Sequence, residues 1–250
     1  MKRRAGKKRL LLCAALLCAA AAVFLYAARY YPAEDAAREA LASDEVLVAQ
    51  TDYGWLFDGP STDTVFVFYP GGKVEETAYA PLLHSLAGGG IDVCLVKMPL
   101  HLAVLDTNAA DRILAGCAYR SCYIGGHSLG GAVAANYAAV HDLDGVILLA
   151  AYPTKTVDEP MLLLCGSEDG VIKRDRLAES GSYGEVREVM IEGGNHAGFG
   201  NYGAQNGDNA PTISAEEQQR QTAEAILSWI REIEAAEQKT AETTVAGLIA

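Results

Sequence analysis

From residue 46 onward the chain is a series of short apolar runs separated by polar turns. Runs rich in Val, Ile, Leu and aromatic residues occupy positions 46–50, 53–57, 64–69, 92–97, 122–125, 146–150, 161–165 and 186–191. Continuous apolar runs of this length are the mark of strands covered on both faces. Helical stretches at 79–87, 109–118 and 129–140 fall between strands from the third onward. Strands alternating with helices predict an α/β fold on a mostly parallel sheet, with helices on both faces. The first two runs have no helix between them and predict an antiparallel hairpin at the sheet edge.

A last helix is predicted from Ser214, where Ser214 and Glu217 make a Ser-x-x-Glu capping box. Ala223, Ile226, Leu227 and Ile230 recur at helical spacing and predict one buried stripe. No such pattern continues past residue 236, so 237–250 is expected to be a loose tail. Gly88-Gly89-Gly90 predicts a helix-ending turn and not a phosphate loop, because no Lys-Ser/Thr follows it.

The N-terminus follows another rule. Lys2, Arg3, Arg4, Lys7, Lys8 and Arg9 precede an uncharged stretch, 10–28, closed by Arg29. As a helix, those residues span about 28 Å, close to the hydrocarbon thickness of a bilayer. The reading is one transmembrane helix, uncleaved, with a cleaved signal peptide as the other option at the Ala-rich 19–22 stretch. In both cases the positive-inside rule sends the remainder outside the cytoplasm, on the cell membrane or secreted. The expected organisation is basic flank and anchor 1–28, stalk 29–45, whose Ala- and charge-rich residues 32–43 read as stalk or short helix, folded domain 46–236 and tail 237–250. Of the 20 bases, six lie before residue 29; the remaining 14 face all 32 acids, a net charge of −18. So acidic a body repels phosphate backbones and argues against a nucleic-acid partner.

Cys94, Cys117, Cys122 and Cys165 show no Cys-x-x-Cys pairing, so a zinc site is not expected. Cys117 and Cys122 are near enough in sequence to pair in an oxidising compartment, if geometry allows.

The candidate chemistry begins at Gly126-His127-Ser128-Leu129-Gly130, between the strand 122–125 and the helix 129–140. A Ser on a sharp strand-to-helix turn is the arrangement of a nucleophile elbow, and the glycines relieve crowding two positions either side of it. Among five histidines, His84 and His141 sit in or at the end of helices, His127 lies inside the elbow, and His101 follows the fourth strand. His196 alone occupies a polar, Gly-rich loop after the last strand, the place from which a general base reaches such a Ser. The orienting acid should follow a strand between the two. Glu168 and Asp169 meet that condition; Asp169 is preferred because Gly170 lets the chain turn back, and Glu168 stays open. An oxyanion hole needs two backbone N–H donors. Leu129 supplies one, and Gly72, or else Lys73, supplies the other from the turn after the third strand, Tyr69-Pro70-Gly71-Gly72-Lys73.

At these residues the chain resembles the α/β-hydrolase superfamily, and in particular small, lidless members of the dienelactone-hydrolase-like branch. The likeness runs from about residue 46 to 230 and rests on the turn 69–73, the elbow 126–130, Asp169 and His196, with 98–100 and 196–202 also similar. It implies an eight-stranded, mostly parallel sheet and acyl transfer to water through an acyl-enzyme. Two departures stand out: Ser128 replaces the branch's Cys, and Pro70 stands where many esterases have His. The expected activity is hydrolysis of an ester or related acyl bond of a small substrate, with no cofactor and no metal. The alternatives are a non-catalytic binding module on the same fold, or an acyltransferase or peptidase using the same triad.

Overall fold

The computed structural model describes residues 2–27, 29–60, 63–115, 118–173 and 184–249. Eight strands form one sheet: β1 (Leu47–Gln50), β2 (Gly54–Asp58), β3 (Thr64–Tyr69), β4 (Asp92–Val96), β5 (Ser121–His127), β6 (Gly145–Leu149), β7 (Met161–Gly166) and β8 (Val186–Ile191). Their order is β1-β2-β4-β3-β5-β6-β7-β8. Pairing is antiparallel on both sides of β2 and parallel everywhere else. The expected edge hairpin is therefore β1–β2, and the remainder is the expected parallel sheet.

The inner strands read as continuous apolar runs because each face of the sheet has its own core. Along β3, Phe66 and Phe68 point into one cluster, while Val65, Val67 and Tyr69 point into the other. All six residues of β3 are buried. The first face is covered by α3 (Ala80–Gly88) and by the long helix α6 (Ala215–Ile249), which contributes Ala223, Ile226, Trp229 and Ile230. The second is covered by α5 (Ser128–Ala138), with Val133, Ala134 and Ala135 against the sheet, and by residues around α4 (Asp111–Leu114). Burying each large apolar side chain contributes about 1.5–3 kcal/mol, so two such faces hold the sheet firmly. The Gly triplet ends α3 as expected, with Gly90 at φ +113°.

Three expectations change. Segment 29–45 holds the short helix of the two readings and is packed, not a free stalk: α2 (Asp35–Leu41) places its Ala37 in the core beside α3, and Tyr31 bridges to Val74. The small side chains Ala33 and Ala37, which carry no periodic signal over so short a stretch, let the segment lie close. The tail is not loose, because α6 runs unbroken to Ile249. Its Ala, Glu, Gln and Lys residues favour helix without tertiary packing, and Thr243 and Thr244 hydroxyls bond carbonyls four residues back. Helix α4 is one turn, far shorter than the predicted 109–118, whose end passes residues 116 and 117, outside the described set; so does the proposed Cys117–Cys122 pairing. Ahead of the domain stands α1 (Lys2–Ala27). Among the described residues, no helix is long and apolar enough to cross a membrane.

Candidate active site

Ser128 lies where β5 turns into α5, with φ +52°, a left-handed conformation that costs a non-glycine residue energy and persists only when its surroundings enforce it. Enforcement comes from backbone crowding. A Cβ on Gly126 would stand 2.2 Å from the Tyr69 carbonyl oxygen, and one on Gly130 would stand 2.2 Å from that of Pro70. Both positions therefore require glycine, and the elbow is pressed against the turn that follows β3.

His196 follows β8 in a loop that is almost wholly buried. Its Nδ1 meets Asp169 Oδ2 at 2.9 Å, and the two side chains are 2% and 0% exposed. The carboxylate's other oxygen accepts the N–H groups of Val171 and Ile172 at 2.8 and 2.9 Å. Burial alone would raise the Asp169 pKa, but the His196 hydrogen bond and charge, together with those amides, hold the carboxyl below its ordinary range. Asp169 thus stays ionised and makes the imidazole carry its proton on Nδ1, leaving Nε2 to accept. That Nε2 is buried and, among the described residues, bonds to no protein group. Glu168 takes no part in this pair: its carboxylate accepts from the Ser167 hydroxyl at 3.3 Å. Ser128, Leu129, Tyr152, Val171, Ile172 and His196 share a cavity of about 430 Å³. A hydroxyl, an acceptor imidazole and a buried carboxylate around one cavity can move a proton off the hydroxyl as it attacks a carbonyl.

The turn after β3 lies against the same helix start. A Cβ on Gly72 would come within 2.8 Å of the Leu129 side chain, so the two chosen oxyanion residues are neighbours. Lys73 is unsuited to the part, because its N–H donates to the His101 carbonyl at 2.7 Å. Gly71 N–H donates to the Tyr79 hydroxyl at 3.0 Å, and that hydroxyl shares a 2.8 Å hydrogen bond with His127 Nδ1. His127 is fully buried, 4.6 Å from the His196 ring between centroids. Burial, and then the charge His196 would carry, hold its pKa well below the ordinary histidine value, so it stays neutral. Leu129, at the first turn of α5, has one of the amides that a helix leaves without an internal partner.

Several supporting residues lie outside the motifs read from the sequence. Gln218 is fully buried on α6; its side chain accepts the Asn195 N–H and donates to the Asn195 carbonyl, at 2.9 and 2.8 Å. Asp208 accepts the N–H of Gly170 on the Asp169 loop and of Ala197 on the His196 loop. Tyr79 and His127 link the turn 69–73 to the elbow. The polar residues Gln218, Gln219 and Thr222 break the apolar stripe of α6, which could have flagged a buried polar contact. A larger cavity, about 500 Å³, lies behind the His196 loop and contains neither Ser128 nor His196.

The profile of the alpha/beta hydrolase family matches residues 65–220, more than half of the chain. The chain belongs to that family. The hydrolase also resembles, in fold, esterase 2 of the planctomycete Thermogutta terrifontis. The apo form of that esterase has a TM-score of 0.53 at 15% identity, over 76% of this chain and 95% of the other. The same esterase phosphorylated by paraoxon has a TM-score of 0.52 at 16% identity, over 75% and 95%. No curated protein matches the hydrolase in sequence.

Proposed function

We propose that this hydrolase is a serine esterase in which Ser128 is the nucleophile, His196 the general base and Asp169 the orienting acid. The observation that carries the reading is the buried His196–Asp169 hydrogen bond, 2.9 Å, beside a Ser held at positive φ in the same cavity. His196 Nε2 takes the hydroxyl proton as Ser128 Oγ attacks the ester carbonyl. The N–H groups of Leu129 and Gly72 stabilise the oxyanion. The alcohol then leaves with the proton from His196, and water, activated by the same imidazole, cleaves the acyl-enzyme and restores Ser128. Small connections around an open cavity suit a small acyl group, as in the lidless dienelactone-hydrolase-like branch. The neighbouring esterase is phosphorylated by paraoxon, which makes that compound the natural probe.

Incubation with paraoxon should add one diethylphosphoryl group to the peptide that contains Ser128, with loss of activity on p-nitrophenyl esters of short acyl chains. Labelling at another residue, or full activity after labelling, would overturn the assignment. The basic flank before residue 10 and the exposed apolar side chains of α1 further support an anchored domain outside the cytoplasm. Protease added to wall-free cells should digest the domain; protection until lysis would reverse the orientation.

A further inference from the structure

Residues 30–34, which lead from α1 into the domain, bond to the chain on both sides of the cavity. On one side they meet the stretch that follows Gly72. Tyr31 N–H donates to the Lys73 carbonyl at 2.7 Å, and the Tyr31 carbonyl accepts the Glu75 N–H at 2.9 Å, so both neighbours of Val74 are bonded to one residue. Ala33 N–H donates to Glu75 Oε2 at 2.9 Å. On the other side they meet the loop that runs on from His196. Glu34 N–H donates to the Asn201 carbonyl at 2.8 Å, the Tyr31 hydroxyl accepts the Asn206 N–H at 3.3 Å, and the Tyr31 and Tyr202 rings stand 5.7 Å apart. The Tyr30 ring stacks on His101, whose carbonyl accepts the Lys73 N–H.

Peptide geometry carries these contacts to Gly72. The Gly71–Gly72 peptide bond is planar and trans, so the Gly71 carbonyl and the Gly72 N–H point in opposite directions. That carbonyl accepts the Val74 N–H at 3.2 Å, which makes the position of Val74 decide where the Gly72 N–H is aimed. Between them Lys73 has φ +61°, a left-handed conformation that a residue with a side chain keeps only where its surroundings over-determine it. Both of its backbone polar groups are taken, the N–H by His101 and the carbonyl by Tyr31. Two adjacent glycines, Gly71 and Gly72, leave the turn free to rotate by itself. An oxyanion donor works only if it is aimed before the charge develops. The aim must then come from what grips Lys73 and Val74 from outside, and Tyr31 grips the carbonyl of the one and the following amide of the other.

Given the esterase reading, with Gly72 as the second oxyanion donor, we propose that residues 30–34 are a brace that aims the Gly72 N–H, with Tyr31 as its positioning residue. The chain leaving α1 is then part of the catalytic frame. The test compares, in the full chain, turnover of p-nitrophenyl acetate with that of its thiono analogue, whose sulfur accepts hydrogen bonds poorly and draws little from an oxyanion hole. Tyr31→Pro removes the N–H that the Lys73 carbonyl accepts. Its kcat for the acetate should fall about tenfold with KM little changed, as for a misplaced donor. Turnover of the thiono ester should fall much less, so the preference for the oxo ester shrinks. Trp229→Phe, which loosens the packing of α6 on Tyr123, should lower Tm and leave that preference as in the wild type. A role in stability alone would lower the Tm of Tyr31→Pro without moving the preference, and that result overturns the proposal. If Tyr31→Pro shows no cooperative unfolding, Glu75→Ala, which removes the acceptor of the Ala33 N–H, should shrink the preference in the same way; an unchanged preference there overturns the proposal as well. Paraoxon separates the brace from the reading beneath it. Labelling of Ser128 in a wild type whose variants keep their preference removes the brace and keeps the esterase, whereas a wild type not labelled at Ser128 removes the esterase reading and the brace with it.

Discussion

The two sides of the cavity are built by different physics. On the base side, His196 and Asp169 sit in loops fixed by side-chain hydrogen bonds: Gln218 grips both polar groups of the Asn195 backbone, and Asp208 ties the two loops together. On the nucleophile side, Ser128 and the turn 69–73 are fixed by contact of backbone with backbone, where Gly126 and Gly130 leave no room for a Cβ. A hydrogen-bonded loop can yield by fractions of an ångström when one partner is lost. A close-packed turn cannot, because the atoms already touch. Damage to the base side should therefore appear mainly in kcat, and damage to the nucleophile side mainly in stability.

The sharpest break is removal of the proposed nucleophile. Ser128→Ala should lower ester hydrolysis by on the order of 10⁶-fold and leave thermal unfolding near that of the wild type. Retained turnover would sink the assignment of Ser128. Next, Asp169→Asn should cost about 10⁴-fold in kcat by freeing the wrong imidazole tautomer, whereas Glu168→Gln should stay near wild type. If Glu168→Gln does the greater harm, the pairing read from the 2.9 Å hydrogen bond is not the catalytic one.

Gly130→Ala sharpens the contrast on the packed side. Its new methyl would meet the Pro70 carbonyl, and stability measured by urea titration should drop by about 3 kcal/mol. On the other side, Gln218→Leu should reduce kcat about tenfold with KM little changed, since a misplaced base costs rate more than binding. Should Gly130→Ala be neutral in stability and Gln218→Leu neutral in kcat, the contrast between the two sides fails.

The smallest expected effect is a change of slope. His127 is neutral in the folded protein because burial, and next the charge on His196, push its pKa down. Below about pH 6.5 the unfolded chain takes up a proton there that the folded chain does not. Stability then falls with pH by up to about 1.4 kcal/mol per unit from this group. The His127→Gln variant should show a shallower loss of stability between pH 6.5 and 4.5 in denaturant titrations. Asp169 acts lower: its depressed pKa adds stability that is present above the ordinary carboxylate range and lost only as pH falls through the folded value.

Much of this was legible in the residues. Eight runs became eight strands; the inner ones, β3 to β7, are largely apolar because a strand covered on both faces has little room for a polar residue, whereas β8 at the edge carries Arg187 and Glu188. The elbow's glycines announce a contact too close for a Cβ, and the structure shows what they touch. Glu168 and Asp169 could not be told apart by pattern, since one residue of register turns a side chain away without altering composition. The packing of segment 29–45 and the helix of the tail escape the sequence pattern for opposite reasons. Small alanines pack without periodicity in the first, and helix-forming residues fold without a buried stripe in the second.

The sequence by itself determined the α/β architecture, the strand-to-helix turn that carries Ser128 and the loop after the last strand that carries His196, because hydrophobic period and glycine placement are local properties of the chain. Only the tertiary structure decided which carboxylate meets His196, that Lys73 spends its amide on His101, and that Gln218, Asp208, Tyr79 and His127 brace the site. Those choices depend on distances of about 3 Å between residues far apart in the chain, where a hydrogen bond is made or lost within a few tenths of an ångström, and no one-dimensional pattern records them.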